Sequence, residues 1–178
     1  MAREIERRFL VHDTSFLCGR SGQRIVQGYL AKESGAMSAR VRIIDRAAYL
    51  TLKSPRNGCE RDEFEYRIPL DDAEQMLIDH CANRFVDKTR YIIEHHRQTF
   101  EVDVFHGRHA GLVIAEVELR HPNELVSLPN WVGAEITHAS GYGNYSLALF
   151  EGPLQPCNYA GELLRKVLGC KSAILARV

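Results

Sequence analysis

The amino-acid sequence predicts an α+β protein that is mainly β, namely a closed eight-stranded antiparallel β-barrel with a few helices packed outside. Three observations support this fold class. Short segments of alternating polar and apolar residues recur through the first 120 residues, turn residues separate them, and like-charged pairs occupy one face of nearly every segment. At 178 residues the chain is long enough for one domain with a single core.

Eight strands and one helix are predicted from the alternation and from the turns between the segments. The predicted strands span residues 3–10, 24–30, 37–44, 47–54, 62–68, 85–94, 98–105 and 112–119. Apolar residues at helical spacing after Pro69 predict a helix that ends near Cys81. The succession of strands suits an up-and-down barrel, in which strands that follow one another in sequence are neighbours.

The alternating pattern weakens after Pro122, where a short segment near residues 132–137 lies between loops. Apolar residues in the tail from Tyr159 to Val178 lie at helical spacing and predict an amphipathic helix. We therefore predict a barrel domain over residues 1–155 and a C-terminal tail over residues 156–178. No function is assigned to the tail, and packing on the barrel, capping of a barrel mouth and an oligomer contact are its alternative roles.

Charge and cysteine content argue against several classes of protein. Because 23 Lys and Arg balance 23 Asp and Glu, no overall field attracts the chain to nucleic acid or to a membrane. The five cysteines are scattered and form no C-x-x-C pair, which favours a reduced, cytoplasmic location. The eight histidines lack the spacing of zinc ligands. No apolar run approaches the roughly 20 residues that span a bilayer.

One face of each predicted strand is charged and the other is apolar, because residues two apart in a strand share a face. Glu4, Glu6 and Arg8 share the polar face of the first strand, whereas Ile5 and Phe9 face the other way. The same alternation places further pairs on one face of the later strands, namely Arg40 and Arg42, Thr51 and Lys53, Glu63 and Glu65, Lys88 and Arg90, Glu101 and Asp103, and Glu116 and Glu118.

Two folds are compatible with this alternation. A β-sandwich buries the apolar faces and leaves the charged faces in water. A closed barrel instead encloses the charged faces, and the apolar faces are then covered from outside. In the barrel, Arg and Lys side chains can bind phosphate oxygens, and clustered carboxylates can bind Mg²⁺ or Mn²⁺. Like-charged pairs on nearly every strand favour the barrel, and with it a site for a polyanion and a metal.

The opening segment Glu4-Ile5-Glu6-Arg7-Arg8 resembles the E-x-E-x-K signature of the CYTH superfamily, also called triphosphate tunnel metalloenzymes. Further matching segments follow in order at residues 27–30, 39–43, 50–54, 63–66, 87–91, 101–105 and 115–119. The resemblance implies an eight-stranded tunnel, open at both ends, that requires a divalent metal such as Mg²⁺ or Mn²⁺. Members of this family include inorganic triphosphatases, thiamine triphosphatases and a class of adenylate cyclases.

The resemblance also implies roles for individual residues. The implied metal ligands are Glu4, Glu6, Asp103, Glu116 and Glu118. The implied substrate-binding residues are Arg8, Arg40, Arg42, Lys53, Lys88 and Arg90. Glu63 and Glu65 would position or deprotonate a water molecule, and Tyr29 is either a further catalytic residue or a packed barrel residue. Arg8 stands where the family has Lys; it keeps the charge but cannot lose a proton as a perturbed Lys can.

The function predicted from the sequence is metal-dependent hydrolysis of a small linear triphosphate, with inorganic tripolyphosphate as the substrate, to pyrophosphate and phosphate. The alternatives are an adenylate cyclase that converts ATP to cyclic AMP, a thiamine triphosphatase and a non-catalytic module that binds polyphosphate. No nucleic-acid or membrane partner is expected, and a homodimer is a further expectation.

Overall fold

The computed structural model describes residues 2–31, 37–55, 60–81 and 84–149. The strands in these residues are β1 (Ala2–Val11), β2 (Gln23–Ala31), β3 (Ser38–Ile44), β4 (Ala47–Lys53), β5 (Glu60–Ile68), β6 (Phe85–His95), β7 (Gln98–Phe105), β8 (Val113–Glu118) and β9 (Val132–Glu135). The helices are α1 (Leu70–Asp79) and α2 (Asn144–Leu149), with short 3-10 helices at Ser15–Leu17, Gly107–His109 and Ser140–Tyr142. The tail helix predicted for residues 159–178 lies outside the described residues, as does the predicted domain boundary after residue 155.

The sheet closes because β1 pairs on both of its edges. Residues Glu6–Leu10 of β1 pair with β8 on one edge, and residues Ala2–Ile5 pair with β5 on the other. The order around the barrel is β5-β4-β3-β2-β6-β7-β8-β1, and every pairing is antiparallel. The short strand β9 pairs with the later part of β1, at Phe9 and Val11. The prediction of a closed eight-stranded antiparallel barrel is thus confirmed.

The predicted up-and-down order of the strands was wrong. β1 lies between β5 and β8 instead of beside β2, and β6 pairs with β2 instead of β5. The connection from β5 to β6 runs through α1, which packs across the outer faces of β4, β3 and β2 and so carries the chain to the far edge of β2. Alternation within a strand defines its two faces but contains no information about such a crossover.

The charged faces of the strands point into the barrel. Arg40, Lys53 and Glu6 are only 6%, 7% and 8% exposed, although each carries a formal charge. A β-sandwich with charges on its outer surface is therefore ruled out. Neither set of charges would be tolerable alone in such an interior, because a buried ion needs partners of opposite sign.

Two different kinds of structure cover the apolar outer faces. On one side, α1 packs over Val41 and Ala48 of β3 and β4. On the opposite side, loop residues cover β1, β6, β7 and β8, where Phe16 stacks on Trp131 at 4.3 Å and Trp131 contacts Phe100 edge-on at 5.5 Å. The predicted outer helix is thus confirmed, while the second covering layer consists of loops. In the part of the chain that the structure describes, no helix is both long and apolar enough to cross a membrane.

An apolar cluster that includes residues of α2 lies inside the barrel. Tyr29, Phe105 and Ile114 contribute to this cluster from β2, β7 and β8. Leu147 of α2 is fully buried among them, and its carbonyl oxygen accepts a hydrogen bond from His109 Nε2 at 2.8 Å. α2 thus forms part of the wall of the interior cavity.

Gly28 lies on the outer face of β2, directly beneath the end of α1. A Cβ atom added at this position would lie 2.6 Å from Cys81 Sγ and 2.8 Å from Leu77 Cδ2, so these side chains would have to shift. We expect Gly28→Ala to lower the free energy of unfolding by about 1–3 kcal/mol, as overpacking does in other cores. Urea denaturation measures this loss, and Gly141→Ala is the control because a Cβ there meets no described atom within 4 Å. Unchanged stability of Gly28→Ala would contradict the close packing of α1.

Candidate active site

The barrel encloses a cavity of about 620 Å³ with charges of both signs on its wall. The basic lining residues are Arg8, Arg40, Arg42, Lys53, Arg61 and Arg90. The acidic lining residues are Glu4, Glu6, Glu63, Glu101, Glu116 and Glu118. Among the described residues, six positive charges therefore face six negative charges, and α2 adds the polar side chains of Asn144 and Ser146. The charged rows of separate strands thus converge on one shared space.

Glu4 forms the centre of one group of ion pairs on this wall. Lys53 Nζ lies 3.0 Å from Glu4 Oε1 and 2.9 Å from Glu63 Oε2, while Arg61 Nε lies 2.5 Å from Glu4 Oε2. Burial raises the pKa of Glu4, but Lys53 and then Arg61 outweigh it and hold the pKa of this carboxyl well below its usual range. Glu4 is therefore ionised at neutral pH, as a cation ligand must be.

Arg40 and Arg42 form a second group with Glu65. Arg42 donates to Glu65 at 2.6 Å, Thr51 Oγ1 donates to the same oxygen at 2.7 Å, and Arg40 lies 3.5 Å from Glu63. Burial raises the pKa of Glu65, but Arg42 and the Thr51 hydroxyl lower it further than burial raises it. Unlike Glu63, Glu65 does not line the cavity. The two predicted water-positioning carboxylates therefore occupy different environments.

The cations on the wall are crowded. Burial and the neighbouring Arg40 lower the pKa of Arg42, and the same two causes lower the pKa of Lys53. Within the described residues, the buried Nε atoms of Arg40 and Arg42 have no hydrogen-bond acceptor. An anion in the cavity would relieve the repulsion among these cations and supply the missing acceptors.

Arg90 belongs to a third group of ion pairs, which includes residues that are buried and do not line the cavity. Its Nε and NH2 atoms donate to the two oxygens of Asp103 at 2.7 and 2.6 Å, and its guanidinium also contacts Glu101 and Glu116. Lys88 Nζ donates to Asp103 at 2.5 Å. Lys88 and Asp103 are each 1% exposed and do not line the cavity. The structure thus places a predicted substrate-binding residue and a predicted metal ligand behind Arg90.

Tyr29 and Arg8 lie close to α2. The Tyr29 ring contacts the Tyr145 ring edge-on at 5.1 Å, and its hydroxyl accepts a hydrogen bond from Gln27. Burial raises the pKa of Tyr29, although nearby Arg40 opposes this effect. Arg8 donates through NH2 to the carbonyl oxygen of Thr137 at 3.0 Å. Tyr29 therefore lines the cavity as a neutral phenol that is also part of the apolar cluster.

The carboxylates on β1 and β8 offer the oxygen donors that a hard divalent cation prefers. Glu6 pairs in register with Glu118, and Glu116 lies one step further along β8 on the same inner face. Burial and then the negative charges of Glu4, Glu101 and Glu63 raise the pKa of Glu118. The chemistry of these donors therefore fits Mg²⁺ or Mn²⁺.

The carboxylates are not arranged as a preformed metal site. Among the described residues, no three Asp, Glu, His or Cys side chains lie close enough together to hold a metal ion. Glu4 and Glu116 instead contact basic side chains, through Lys53 and Arg90. Binding of a divalent cation would accordingly require these carboxylates to exchange a basic partner for the metal.

Arg61 is a site residue that the sequence analysis missed. It lines the cavity and contacts both Glu4 and Glu6. The predicted fifth strand began at residue 62, whereas β5 begins at Glu60. Had the strand been extended by one residue, alternation would have placed Arg61 on the same face as Glu63 and Glu65.

Comparisons with known proteins agree with this geometry. The CYTH domain family matches residues 2–148 of the chain. An inorganic triphosphatase of Acetivibrio thermocellus is 37% identical over 147 residues, which cover 83% of this chain and 94% of the relative. An inorganic triphosphatase of Nitrosomonas europaea is 36% identical over 150 residues, which cover 82% of this chain and 97% of the relative.

The fold comparison gives the same result. A crystal structure of an inorganic triphosphatase superposes with a TM-score of 0.63 and 32% sequence identity, over 85% of this chain and 98% of that chain. The sequence match, the structural match and the charged interior of the barrel all concern the same part of the molecule. The chain belongs to the CYTH family.

Proposed function

We propose that this protein hydrolyses a linear triphosphate, with inorganic tripolyphosphate as the substrate and pyrophosphate and phosphate as the products. The observation that carries the proposal is the buried cavity whose wall combines six cations with six carboxylates. The two relatives that are 36–37% identical over almost their full length are inorganic triphosphatases, which supports the same reaction.

Charge balance supports a requirement for a divalent metal, on which triphosphatases of the CYTH family depend in general. Tripolyphosphate carries roughly four to five negative charges at neutral pH, since each of its three phosphates has one strongly acidic group and the second ionisation of a terminal phosphate lies near pH 6. Among the described residues that line the cavity, the charges of the two signs are equal in number and leave no excess of positive charge to offset them. We propose that Glu4, Glu6, Glu116 and Glu118 hold Mg²⁺ or Mn²⁺. When bound, such an ion would neutralise negative charge on the triphosphate during phosphoryl transfer.

The basic side chains bind and orient the triphosphate in this proposal. Arg40, Arg42 and Arg90 can each donate two parallel hydrogen bonds to a phosphate, while Lys53 acts as a compact charge. Arg8 keeps a positive charge beside α2 but cannot release a proton at neutral pH. Positioning and charge stabilisation account for most of the catalysis of phosphoryl transfer, so these residues stabilise the transition state without becoming covalently modified.

Glu63 is the stronger candidate for orienting the attacking water, because it lines the cavity and Glu65 does not. We expect Glu63→Gln to lower kcat by about 100-fold with little change in KM, as for loss of a group that orients a proton transfer. Glu65→Gln should mainly raise KM, because Glu65 aligns Arg42 and Thr51. Steady-state kinetics on tripolyphosphate separate the two effects. Equal losses of kcat in both variants would contradict this division of roles.

The proposed reaction is tested by a screen for orthophosphate release. Purified protein is incubated with tripolyphosphate, thiamine triphosphate, ATP and GTP, each with Mg²⁺, with Mn²⁺ and with EDTA. We expect the fastest release from tripolyphosphate and none with EDTA. Formation of cyclic AMP and pyrophosphate from ATP would instead support an adenylate cyclase, and tripolyphosphate that binds in EDTA but is never cleaved would support a non-catalytic module.

The domain division, the location and the oligomeric state are also proposed. The proposed barrel domain spans residues 1–155, and no function is proposed for the tail over residues 156–178. The cytoplasmic location and the homodimer stay predictions.

A further inference from the structure

We propose that Asp103 is a positioning residue that fixes the guanidinium of Arg90 at the cavity wall, and that it is not a metal ligand. This inference rests on the proposed function, because it assigns a role within the same site. It differs from the role that family resemblance implies for this carboxylate.

The first step of the argument is that both oxygens of Asp103 already have partners. Oδ1 accepts a hydrogen bond from Arg90 Nε at 2.7 Å, and Oδ2 accepts one from Arg90 NH2 at 2.6 Å. Oδ2 also accepts a hydrogen bond from Lys88 Nζ at 2.5 Å. The pair with Arg90 is bidentate, which fixes the plane of the guanidinium as well as its distance.

The second step is the depth of Asp103. Its side chain is 1% exposed and does not line the cavity, whereas Arg90 and Glu116 do. Arg90 therefore lies between Asp103 and the space where a triphosphate would bind. A metal ion could reach Asp103 only if Arg90 moved away, which would remove one of the cations that bind the substrate.

The third step is the support behind Asp103. Lys88, also 1% exposed, donates to Asp103 and to Asn144 Oδ1 at 3.2 Å, so the buried pair is tied to α2. Because two cations share one carboxylate, all three hydrogen bonds that Asp103 accepts are charge-assisted. The burial of this group lets Asp103 hold Arg90 in one orientation while the outer edge of the guanidinium faces Glu101 and Glu116.

Direct binding of Mn²⁺ separates a positioning role from a ligand role. Mn²⁺ binding is measured by electron paramagnetic resonance, without substrate, for wild type, Asp103→Asn and Glu6→Gln. We expect Asp103→Asn to bind Mn²⁺ within about twofold of wild type, while Glu6→Gln loses at least about tenfold in affinity. An equal loss in the two variants would overturn the inference and identify Asp103 as a ligand.

A double-mutant cycle tests whether Asp103 acts through Arg90. We expect Asp103→Asn to lower kcat/KM on tripolyphosphate by at least about tenfold, mainly through KM, in the wild-type background. In an Arg90→Met background the same change should cost less than about twofold, because the residue it positions is gone. A full tenfold loss in both backgrounds would overturn the inference.

Because Asp103→Asn leaves buried positive charge without a partner, the experiment needs a second genetic background as a safeguard. That change leaves Lys88 and Arg90 buried without their shared carboxylate, which can unfold a protein. If Asp103→Asn does not fold, the cycle is repeated with Lys88→Met in every variant, since this removes one cation together with the anion. The inference and the proposed function fail separately. If wild type releases no phosphate from tripolyphosphate, the proposed function is refuted. If wild type is active but Asp103→Asn binds Mn²⁺ as weakly as Glu6→Gln does, the positioning role is refuted.

Discussion

Glu6→Gln is expected to reduce metal-dependent phosphate release by at least about 100-fold, the largest effect of any single change in this protein. Glu6 is 8% exposed, lines the cavity and pairs in register with Glu118 on the neighbouring strand. Glutamine keeps the size of the side chain but removes the negative charge that a divalent cation requires. The loss is measured as kcat on tripolyphosphate over a Mn²⁺ titration.

A matched control lies at the end of β9, on the outside of the barrel. Glu135 of β9 accepts two hydrogen bonds from Arg7, whose side chain points away from the cavity, and neither residue lines the cavity. Glu135→Gln removes the same charge from the same molecule and should leave kcat within about twofold, as expected for an exposed ion pair. Full activity of Glu6→Gln would refute its assignment as a metal ligand.

Arg40→Met is expected to lower kcat/KM by about 100-fold, since the loss of one preorganised donor to a developing charge costs this much in other enzymes. Arg40 is 6% exposed, contacts Glu63 and Glu65, and keeps a buried Nε donor without an acceptor among the described residues. Arg40→Lys should recover only part of the loss, because lysine restores the charge but not the planar pair of donors.

The same kinetics and a thermal melt distinguish binding from folding effects. Arg46→Met is the control, since Arg46 is exposed in the turn between β3 and β4. We expect the control to match wild type in both measurements. A melting temperature of Arg40→Met far below that of wild type, with unchanged kcat/KM for the folded fraction, would show that Arg40 stabilises the barrel and does not bind substrate.

The inner face of each strand was predictable because it depends on local alternation alone. Glu4, Arg40 and Lys53 line the cavity. This is the arrangement expected when the alternating polar residues of each strand face the inside of a closed barrel. Alternation itself is equally compatible with a sandwich, so the choice of the barrel depended on the excess of like-charged pairs and on the family resemblance. Burial of Arg40 and Lys53 decided between the two folds.

Depth within the barrel was not predictable from the sequence. Lys88 and Arg90 share a face of β6, yet Lys88 is buried behind the wall and Arg90 lines the cavity. This difference depends on the stagger between neighbouring strands and on the position of α2, neither of which alternation encodes. The helix α2 was itself missed, because its six residues are too few to show helical periodicity.

The most direct test of the account is a crystal structure with tripolyphosphate and Mn²⁺ bound, with anomalous scattering used to locate the metal. We predict the triphosphate inside the barrel against Arg40, Arg42 and Arg90, and an anomalous peak beside Glu4 and Glu6. A triphosphate bound on the outer surface, with the interior ion pairs unchanged and the enzyme active in the same crystals, would contradict the account.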